Sequence, residues 1–278
     1  MHRHLIPLLA SLSALGSLYA QAPPAPPLPS AEQLLKNVAQ AYKSPQKYLF
    51  AGKGTIQAPG DATPQPIPFT LAVEMPDKIR LEGDTRAFGV AAFAGAVLFV
   101  SDGQVVSLTE PPAKKYYQAK RTSPKNSVGK FENKYPAMER PEQFVAYLDH
   151  FITGRYPALV ENAHLAKVTK TEKLLIAGKF VECYVIQIDR GAFDEKKLMS
   201  SRQTLWVDTK RSVVWREDNV QWLSKQQQQH SRTDLSAIIL NDPLPEGVFT
   251  FKPPVGFELA PMPSNKTAPA DKPAPSKK

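Results

Sequence analysis

The sequence predicts an α+β fold, in which a curved antiparallel β-sheet of about eleven or twelve strands forms a half-open barrel closed by helices on its concave side. About a dozen segments alternate apolar and polar residues with period two, and short links join most of them, which is typical of an antiparallel meander. Two other segments carry apolar residues at helical spacing. Because a flat sheet rarely holds about a dozen strands, this sheet is expected to curl.

The first residues have the composition of a secretory signal peptide. A weakly basic start at residues 2–4 precedes the apolar run 5–18, and Ala20 ends a segment suited to cleavage after it. The alternative is a transmembrane anchor, but a spanning helix needs roughly 20 apolar residues, which this run does not reach. We therefore expect an exported chain.

The 278-residue chain divides by composition. After the signal peptide at residues 1–20, a proline-rich spacer occupies residues 21–29, and residues 261–278 form a tail rich in Lys, Pro and Ala that is expected to be disordered. Residues 30–260 are long enough for one large domain or two small ones, and the continuous series of strands favours one.

Charge and cysteine content narrow the possible functions. The net charge of +9 is spread thinly, so no nucleic-acid partner is expected, although a modest basic excess favours anionic membrane surfaces. Cys183 is the one cysteine; it cannot form an internal disulfide, and its apolar, strand-like surroundings are typical of a buried core thiol. His150, His164 and His230 lack the spacing of metal ligands, and no G-x-S-x-G motif occurs. We therefore predict no metal, no cofactor and no enzymatic activity.

Residues 30–43 predict the first helix. Ser30 and Gln33 have the spacing of a capping box, in which two side chains satisfy the free amides of the first turn. Leu34, Leu35 and Val38 fall on one apolar face, which must bury against the strands that follow.

Residues 141–152 predict a second helix. Pro141 suits a first helical position, and an aromatic stripe that includes Phe144 and Leu148 runs along one side. Such a stripe is more often part of a core than of a ligand site, so both interpretations stay open here.

The first half of the domain contains about six strands that alternate with period two. They are residues 48–57, 69–75, 78–84, 96–101 and 104–108, and an edge strand with Tyr116 and Tyr117. Residues 87–95 are small and apolar. This segment either crosses the core or forms a mobile apolar loop at a cavity mouth, where Phe88, Val90 and Phe93 would contact a ligand.

The second half contains about six more strands. They are residues 166–175, 179–190, the two arms of a hairpin at 203–217, 219–227 and 228–239, and a last short strand at 248–251. The prolines that follow are expected to end the sheet.

The hairpin at 203–217 shows the clearest alternation in the chain. Trp206 and Trp215 lie on its two strands and are expected to supply much of one sheet face. Cross-strand ion pairs with two nearby arginines explain the carboxylates in and beside the hairpin. These pairs would join Asp208, Glu217 and Asp218 to Arg211 and Arg216.

Five motifs, in this order, resemble the LolA/LolB-like superfamily of outer-membrane lipoprotein carriers and their relatives. They are SAEQLLKNVAQAY, FTLAVEMPDKIRLE, VLFVSDGQVVSL, LWVDTKRSVVWRE and VFTFKPPVGFEL, and they extend from Ser30 to Leu259. Carriers depend on an arginine beside the proline of the second motif. Here Met75 precedes Pro76 and Arg80 lies further along, so that role is not transferred to this chain.

The resemblance implies a periplasmic, monomeric protein that holds a lipid, or the acyl chain of a lipoprotein, in an apolar cavity. In its more specific form, it implies a carrier of lipid or lipoprotein across the periplasm. The residues predicted to line the cavity are Leu34, Leu35, Val38, Phe88, Val90, Phe93, Phe144, Leu148, Trp206 and Trp215. The alternative is a non-catalytic scaffold or regulatory sensor domain that binds another envelope protein. A continuous cavity favours the first function, and a filled interior favours the second.

Overall fold

The structure is a computed structural model that describes residues 27–57, 64–84, 96–120, 153–191, 200–222 and 228–261. Several predictions lie outside the described residues. They are the signal peptide, the apolar segment with Phe88, Val90 and Phe93, the helix with Phe144 and Leu148, and nearly all of the C-terminal tail. Within the described ranges, no helix is both long and apolar enough to cross a membrane.

Twelve strands and two α-helices make up the described part of the chain. The helices are α1 (Ala31–Ala41) and α2 (Arg155–Ala158), and 3-10 segments follow at Pro111–Ala113 and Leu159–Leu165. The strands are β1 (Lys47–Gln57), β2 (Ile67–Glu74), β3 (Lys78–Asp84), β4 (Ala96–Asp102), β5 (Val105–Glu110), β6 (Lys115–Lys120), β7 (Ala166–Ile176), β8 (Lys179–Arg190), β9 (Ser200–Asp208), β10 (Val214–Trp222), β11 (Gln228–Leu240) and β12 (Glu258–Leu259).

All twelve strands belong to one open sheet, which confirms the predicted fold class. Their order is β12-β6-β5-β4-β3-β2-β1-β11-β10-β9-β8-β7. Neighbouring strands are antiparallel, except that β12 runs parallel to β6. The long-range closure is made by β1 and β11, which pair along most of their length and join the two halves of the chain.

One face of the sheet, here called the inner face, carries the core. A row of directly opposed apolar side chains crosses seven neighbouring strands on this face, and each is at most 6% exposed. From β11 to β6 the row is Ile238, Phe50, Leu71, Leu81, Phe99, Leu108 and Tyr117. Because side chains alternate between faces along a strand, this register directs every second residue into the same core.

The sheet is open but not flat near its β7 edge. Three strands separate β7 from β11, so a flat arrangement would hold them about 19 Å apart. Instead, Cα atoms of β7 and β11 approach within 8 Å. Arg216 Nη1 on β10 also lies 3.9 Å from Glu172 Oε1 on β7. The edge of the sheet therefore folds back, as expected for so many strands.

Helix α1 buries the face predicted from its sequence. Leu35 and Val38 are fully buried, and the helix packs against α2, the 3-10 segment that follows α2, and β7. The predicted capping box is wrong. Ser30 makes no capping hydrogen bond through its side chain, and Gln33 Nε2 donates to Asn37 Oδ1 at 3.0 Å instead.

The two tryptophans of the β9–β10 hairpin both contact the core cluster, but they are not directly opposed in the sheet. The register shifts between Val214 and Arg216, which makes Trp215 the extra residue of a bulge. Trp215 is buried in the core cluster. Arg216 stands opposite Trp206, and its guanidinium lies 5.1 Å from the centre of the Trp206 ring, which is half-buried against the core cluster.

Two predicted strand ends are also wrong. The segment at 219–227 is not a separate strand, because Asn219 still pairs with Gln203 in β9 and with Ser231 in β11, so β10 continues to Trp222. Residues 248–251 lie in a turn and an irregular segment instead of the predicted strand, and the prolines that follow them do not end the sheet. The chain crosses the outside of β1–β6 and then forms β12, where the Ala260 amide donates to the Tyr116 carbonyl at 2.9 Å.

A glycine at the junction of β1 and β11 provides a test of this register. The register shifts between Ala51 and Gly52, and a Cβ at Gly52 would lie 2.2 Å from the carbonyl oxygen of Asp234. We expect Gly52→Ala to lower the free energy of unfolding, measured in urea, by about 3 kcal/mol through overpacking. The control is Gly178→Ala, where a Cβ meets nothing within 4 Å but the backbone φ is +80°. There the loss should be about 1 kcal/mol. Equal losses would contradict the close approach of the two strands.

Candidate functional site

A small pocket lies on the inner face between α2 and strands β1, β2, β10 and β11, and is here called the inner-face pocket. Its volume is about 20 Å³, which is room for about one water molecule. Apolar side chains form most of its wall, and one ion pair stands beside them. The apolar residues include Phe50, Phe69, Leu71, Trp215 and Leu235, and the charged residues are Arg155, Glu217 and Arg216.

The residues predicted to line a cavity fall into three groups. Leu34, Leu35 and Val38 lie on α1 and are buried in the core, whereas Trp215 lines the inner-face pocket. Trp206 is half-buried against the core cluster, with the Arg216 guanidinium over its ring. The remaining five predicted residues are outside the described ranges. The cavity lining as a whole therefore stays a prediction.

Glu217 stands at the centre of a buried polar network. Its Oε2 lies 2.8 Å from Arg155 Nη2, and its Oε1 accepts hydrogen bonds from Gln203 Nε2 at 2.9 Å and from Asn219 Nδ2 at 3.0 Å. Gln203 Oε1 in turn accepts from Arg190 Nη2 at 3.0 Å. Burying an ion pair costs desolvation energy, which close hydrogen bonds offset only in part. The network therefore links α2 to β10, although burying its charged groups costs solvation free energy.

Two tyrosines hold α2 beside this network. The ring centres of Tyr42 and Tyr156 are 4.1 Å apart, Arg155 Nη2 donates to the Tyr156 hydroxyl at 2.9 Å, and the Tyr42 hydroxyl accepts from the Val214 amide at 3.1 Å. Burial raises the pKa of both tyrosines, so both hydroxyls stay protonated. Burial alone would lower the pKa of Arg155, but the Glu217 carboxylate and Tyr156 raise it above its ordinary value. The guanidinium therefore stays charged.

Sequence reasoning missed Arg155, Tyr156 and the role of Glu217. Arg155 and Glu217 lie far apart in the chain, and the segment around Arg155 has no periodicity that assigns it a face. A glutamate in a strand whose neighbours are buried was the one available signal. Such a carboxylate needs a partner, but the sequence offers many candidate arginines.

The ion pairs predicted within the β9–β10 hairpin are wrong in their partners. Asp208 accepts hydrogen bonds from Trp215 Nε1 at 3.0 Å and from the backbone amides of Lys210 and Arg211 at 2.8 and 2.9 Å. It therefore shapes the turn. Arg211 donates to the carbonyl of Ile238 at 3.1 Å, which joins this turn to β11.

Arg216 and Asp218 pair instead with residues of β11, on the face away from the core. Arg216 Nε lies 2.6 Å from Asp234 Oδ1, Arg232 Nε lies 2.8 Å from Asp234 Oδ2, and His230 Nε2 lies 2.8 Å from Asp218 Oδ1. Burial alone would raise the pKa of Asp234, but the hydrogen bonds from Arg232 and Arg216 hold it below its ordinary value.

Two kinds of reactive site, a thiolate and a metal centre, are not found among the described residues. Cys183 is buried as predicted, and burial raises the pKa of its thiol to about 12, so it is not a reactive thiolate. Among the described residues, no three His, Cys, Asp or Glu side chains are grouped so that they could hold a metal ion. The inner-face pocket thus combines an apolar wall with the Arg155–Glu217 pair and with Arg216, whose charge Asp234 balances, an arrangement suited to apolar groups.

Comparison with known families gives one match over most of the chain. The family model described as a predicted periplasmic protein, DUF2092, matches residues 31–260. No curated protein matches the chain.

Several solved structures are similar to this chain. Lipoprotein LppX of Mycobacterium tuberculosis is 12% identical with a TM-score of 0.39, and the match covers 78% of this chain and 98% of LppX. A LolA superfamily protein of Nitrosomonas europaea is 11% identical with a TM-score of 0.27, covering 81% and 99%. The MucA/MucB complex of Pseudomonas aeruginosa is 11% identical with a TM-score of 0.34, covering 81% and 62%. The similarities include the LolA superfamily, as the sequence motifs predicted, but with values this low they carry no argument about function.

Removing the charge of Glu217 tests the buried pair. We expect Glu217→Gln to lower the free energy of unfolding by about 2 kcal/mol, because it leaves the Arg155 guanidinium without a counter-charge. A fully buried pair would lose more, but the Arg155 side chain is 31% exposed. Glu32→Gln removes the same charge from the exposed pair with Lys36 on α1 and should leave the free energy of unfolding nearly unchanged. Urea denaturation of both variants checks this. If the two losses were equal, the Arg155–Glu217 pair would not be a buried link.

The pH dependence of stability tests the Asp234 cluster. The pKa of Asp234 is lowered from an ordinary value of 3.8, so its ion pairs contribute stability above that pH and lose it as the pH falls through the lower folded-state value. We expect Asp234→Asn to be less stable than the wild type at neutral pH. The difference should shrink as the pH falls below 3.8. Thermal unfolding across this range measures it, and a difference that stays constant with pH would contradict the assignment.

Proposed function

Because the chain belongs to the DUF2092 family of predicted periplasmic proteins, we propose that it is a non-catalytic binding protein that holds the apolar chain of a lipid or lipoprotein against the inner face of its sheet. The observation that carries this proposal is the row of seven opposed apolar side chains from Ile238 to Tyr117. An extended acyl chain along this row would make apolar contacts with these side chains, in place of the apolar contacts that protein groups make with them.

The energy available from such contacts is sufficient without any special polar residue. Burial of an alkyl chain contributes about 0.8 kcal/mol per methylene, so a chain of about sixteen carbons offers about 12 kcal/mol before the entropy of binding is subtracted. Separating one helix from the sheet loses the burial of its large apolar side chains, at about 1.5–3 kcal/mol for each. The burial of the acyl chain exceeds this loss for a short helix.

The inner-face pocket supports a specific place for entry. With a volume of about 20 Å³ it is too small for an acyl chain, so part of its wall has to move before a ligand can enter, and α2 forms one side of that wall. The Arg155–Glu217 pair is the polar link between α2 and β10 at this position. Since a buried ion pair contributes little net stability compared with apolar packing, it is a weak point at which the interior can open.

Lipid analysis tests the proposal directly. The protein is purified from the periplasm without detergent and examined by native mass spectrometry, and the bound material is extracted and identified. We expect a co-purifying lipid, or saturable uptake of a fluorescent fatty acid by lipid-free protein. Absence of both would reject the proposal.

A pocket-filling variant tests the location. Leu235→Trp adds bulk to the wall of the inner-face pocket and should reduce uptake of the fluorescent fatty acid by about tenfold, since each lost apolar contact site is worth about 1.4 kcal/mol or more. Leu259→Trp adds the same bulk on the exposed β12 and should leave uptake unchanged. Uptake is compared per folded molecule, with the folded fraction measured by circular dichroism. Equal uptake by both variants would place the ligand elsewhere.

A second function is favoured by the small size of the inner-face pocket. With room for about one water, the described interior is nearly filled. A filled interior suits a scaffold or sensor domain whose outer surface binds another envelope protein. Failure of both lipid assays, together with capture of a defined envelope protein by the purified chain, would support this function in place of lipid binding.

A further inference from the structure

The tip of the β7–β8 hairpin exposes a pair of large apolar side chains. Leu175 is 64% exposed and Phe180 is 75% exposed. The two residues stand directly opposite each other in the antiparallel register, so their side chains lie on the same face of the hairpin. The turn between the strands is Ala177–Gly178.

Packing within the fold does not account for this pair. The neighbouring Leu174 points to the other face of the hairpin and is buried, where it stands opposite Val181. That buried face is sufficient to hold the hairpin on the sheet. A second apolar face at the same tip, turned to solvent, costs hydration free energy and adds nothing to the core, which is typical of an interaction site.

Lysines surround the exposed pair. Lys173 and Lys179 are exposed on the hairpin itself, and Lys210 is exposed on the neighbouring turn, which the hydrogen bond from the Thr209 amide to the Glu182 carbonyl holds against β8 at 3.1 Å. Glu182 is the exposed carboxylate among them, opposite Lys173. The balance is therefore basic around an apolar centre.

We propose that the β7–β8 hairpin tip docks onto an anionic phospholipid surface, with Leu175 and Phe180 inserted among the acyl chains and the lysines on the head groups. Peripheral proteins bind to membranes through apolar side chains inserted at the interface and through lysines near the lipid phosphates. This docking does not depend on a ligand in the inner-face pocket.

A second copy of this chain is the competing occupant. Along the described residues β7 pairs only with β8, so its outer edge is available for strand addition. However, Lys167, Lys170 and Lys173 are exposed along that strand. Lysines on an edge strand oppose pairing between two copies, because like charges would be brought together. The same lysines favour an anionic surface.

Vesicle binding of the full exported chain tests the proposal. The probe is a phosphatidylcholine vesicle that contains phosphatidylglycerol, compared with one of phosphatidylcholine alone, and bound protein is measured by sedimentation. We expect binding to the anionic vesicles that weakens with salt. The double variant Leu175→Ser with Phe180→Ser should reduce it by at least about tenfold, and Lys179→Gln by about fivefold. The matched control Leu259→Ser, at another exposed apolar position, should have no effect.

A fluorescent label locates the contact. Ala177→Cys places a thiol at the turn, whereas the native Cys183 is buried and not labelled. An environment-sensitive dye on this thiol should shift to the blue with anionic vesicles, and the same dye at Val255→Cys, a fully exposed turn elsewhere, should not. An equal shift at both positions overturns the proposal. So does vesicle binding that survives the double variant, or self-association without vesicles that the double variant abolishes.

Discussion

The structure depends on one constraint, which is that a single apolar face must be covered across a sheet of twelve strands. The row from Ile238 to Tyr117 shows how far that face extends. A flat sheet of this width would need a second layer of equal width, and the described helices are too short to supply one. Helix α1 packs against α2, the 3-10 segment after α2 and β7, so these elements together cover part of the β7 end of the sheet. The positions of α1 and α2, and of the inner-face pocket, follow from this.

The Arg155–Glu217 ion pair is an exception to the apolar surroundings of the inner-face pocket. Arg155 and Glu217 could be replaced by apolar residues of similar size with little loss or even a gain of stability. When α2 separates from the sheet, water can solvate both charges, and this solvation partly compensates for the lost ion pair. A purely apolar contact would have no such compensation. The pair therefore suits a protein whose interior opens for a ligand better than one that stays closed.

Local patterns in the sequence predicted most of the fold, and long-range contacts account for what they missed. The bounds of β3 and β8 are the predicted ones, because period-two alternation marks both strands in the sequence. The bulge at Trp215 was not predicted, because no residue type marks the point at which the period changes. For the candidate site, the burial of Leu35 and Val38 followed from helical spacing. Phe50, Leu235 and Arg155 were not predicted as pocket residues, because their proximity arises from the pairing of β1 with β11 and from a helix on another segment.

The two proposed binding surfaces meet at one residue. A cavity of about 470 Å³ separates the hairpin tip from β1, β2 and β11, and its wall includes Leu175 on one side and Leu235 on the other. Leu235 also lines the inner-face pocket. Gly52 lies across from it in β1 and presents no side chain, so the barrier between cavity and pocket is thin at this point. An acyl chain that left a bilayer beside Leu175 would therefore find Leu235 between it and the inner-face pocket, whereas Arg216, Arg232 and Asp234 place charged groups on another part of the cavity wall. Because apolar groups are displaced at a lower cost than hydrogen-bonded charges, the geometry favours the path past Leu235.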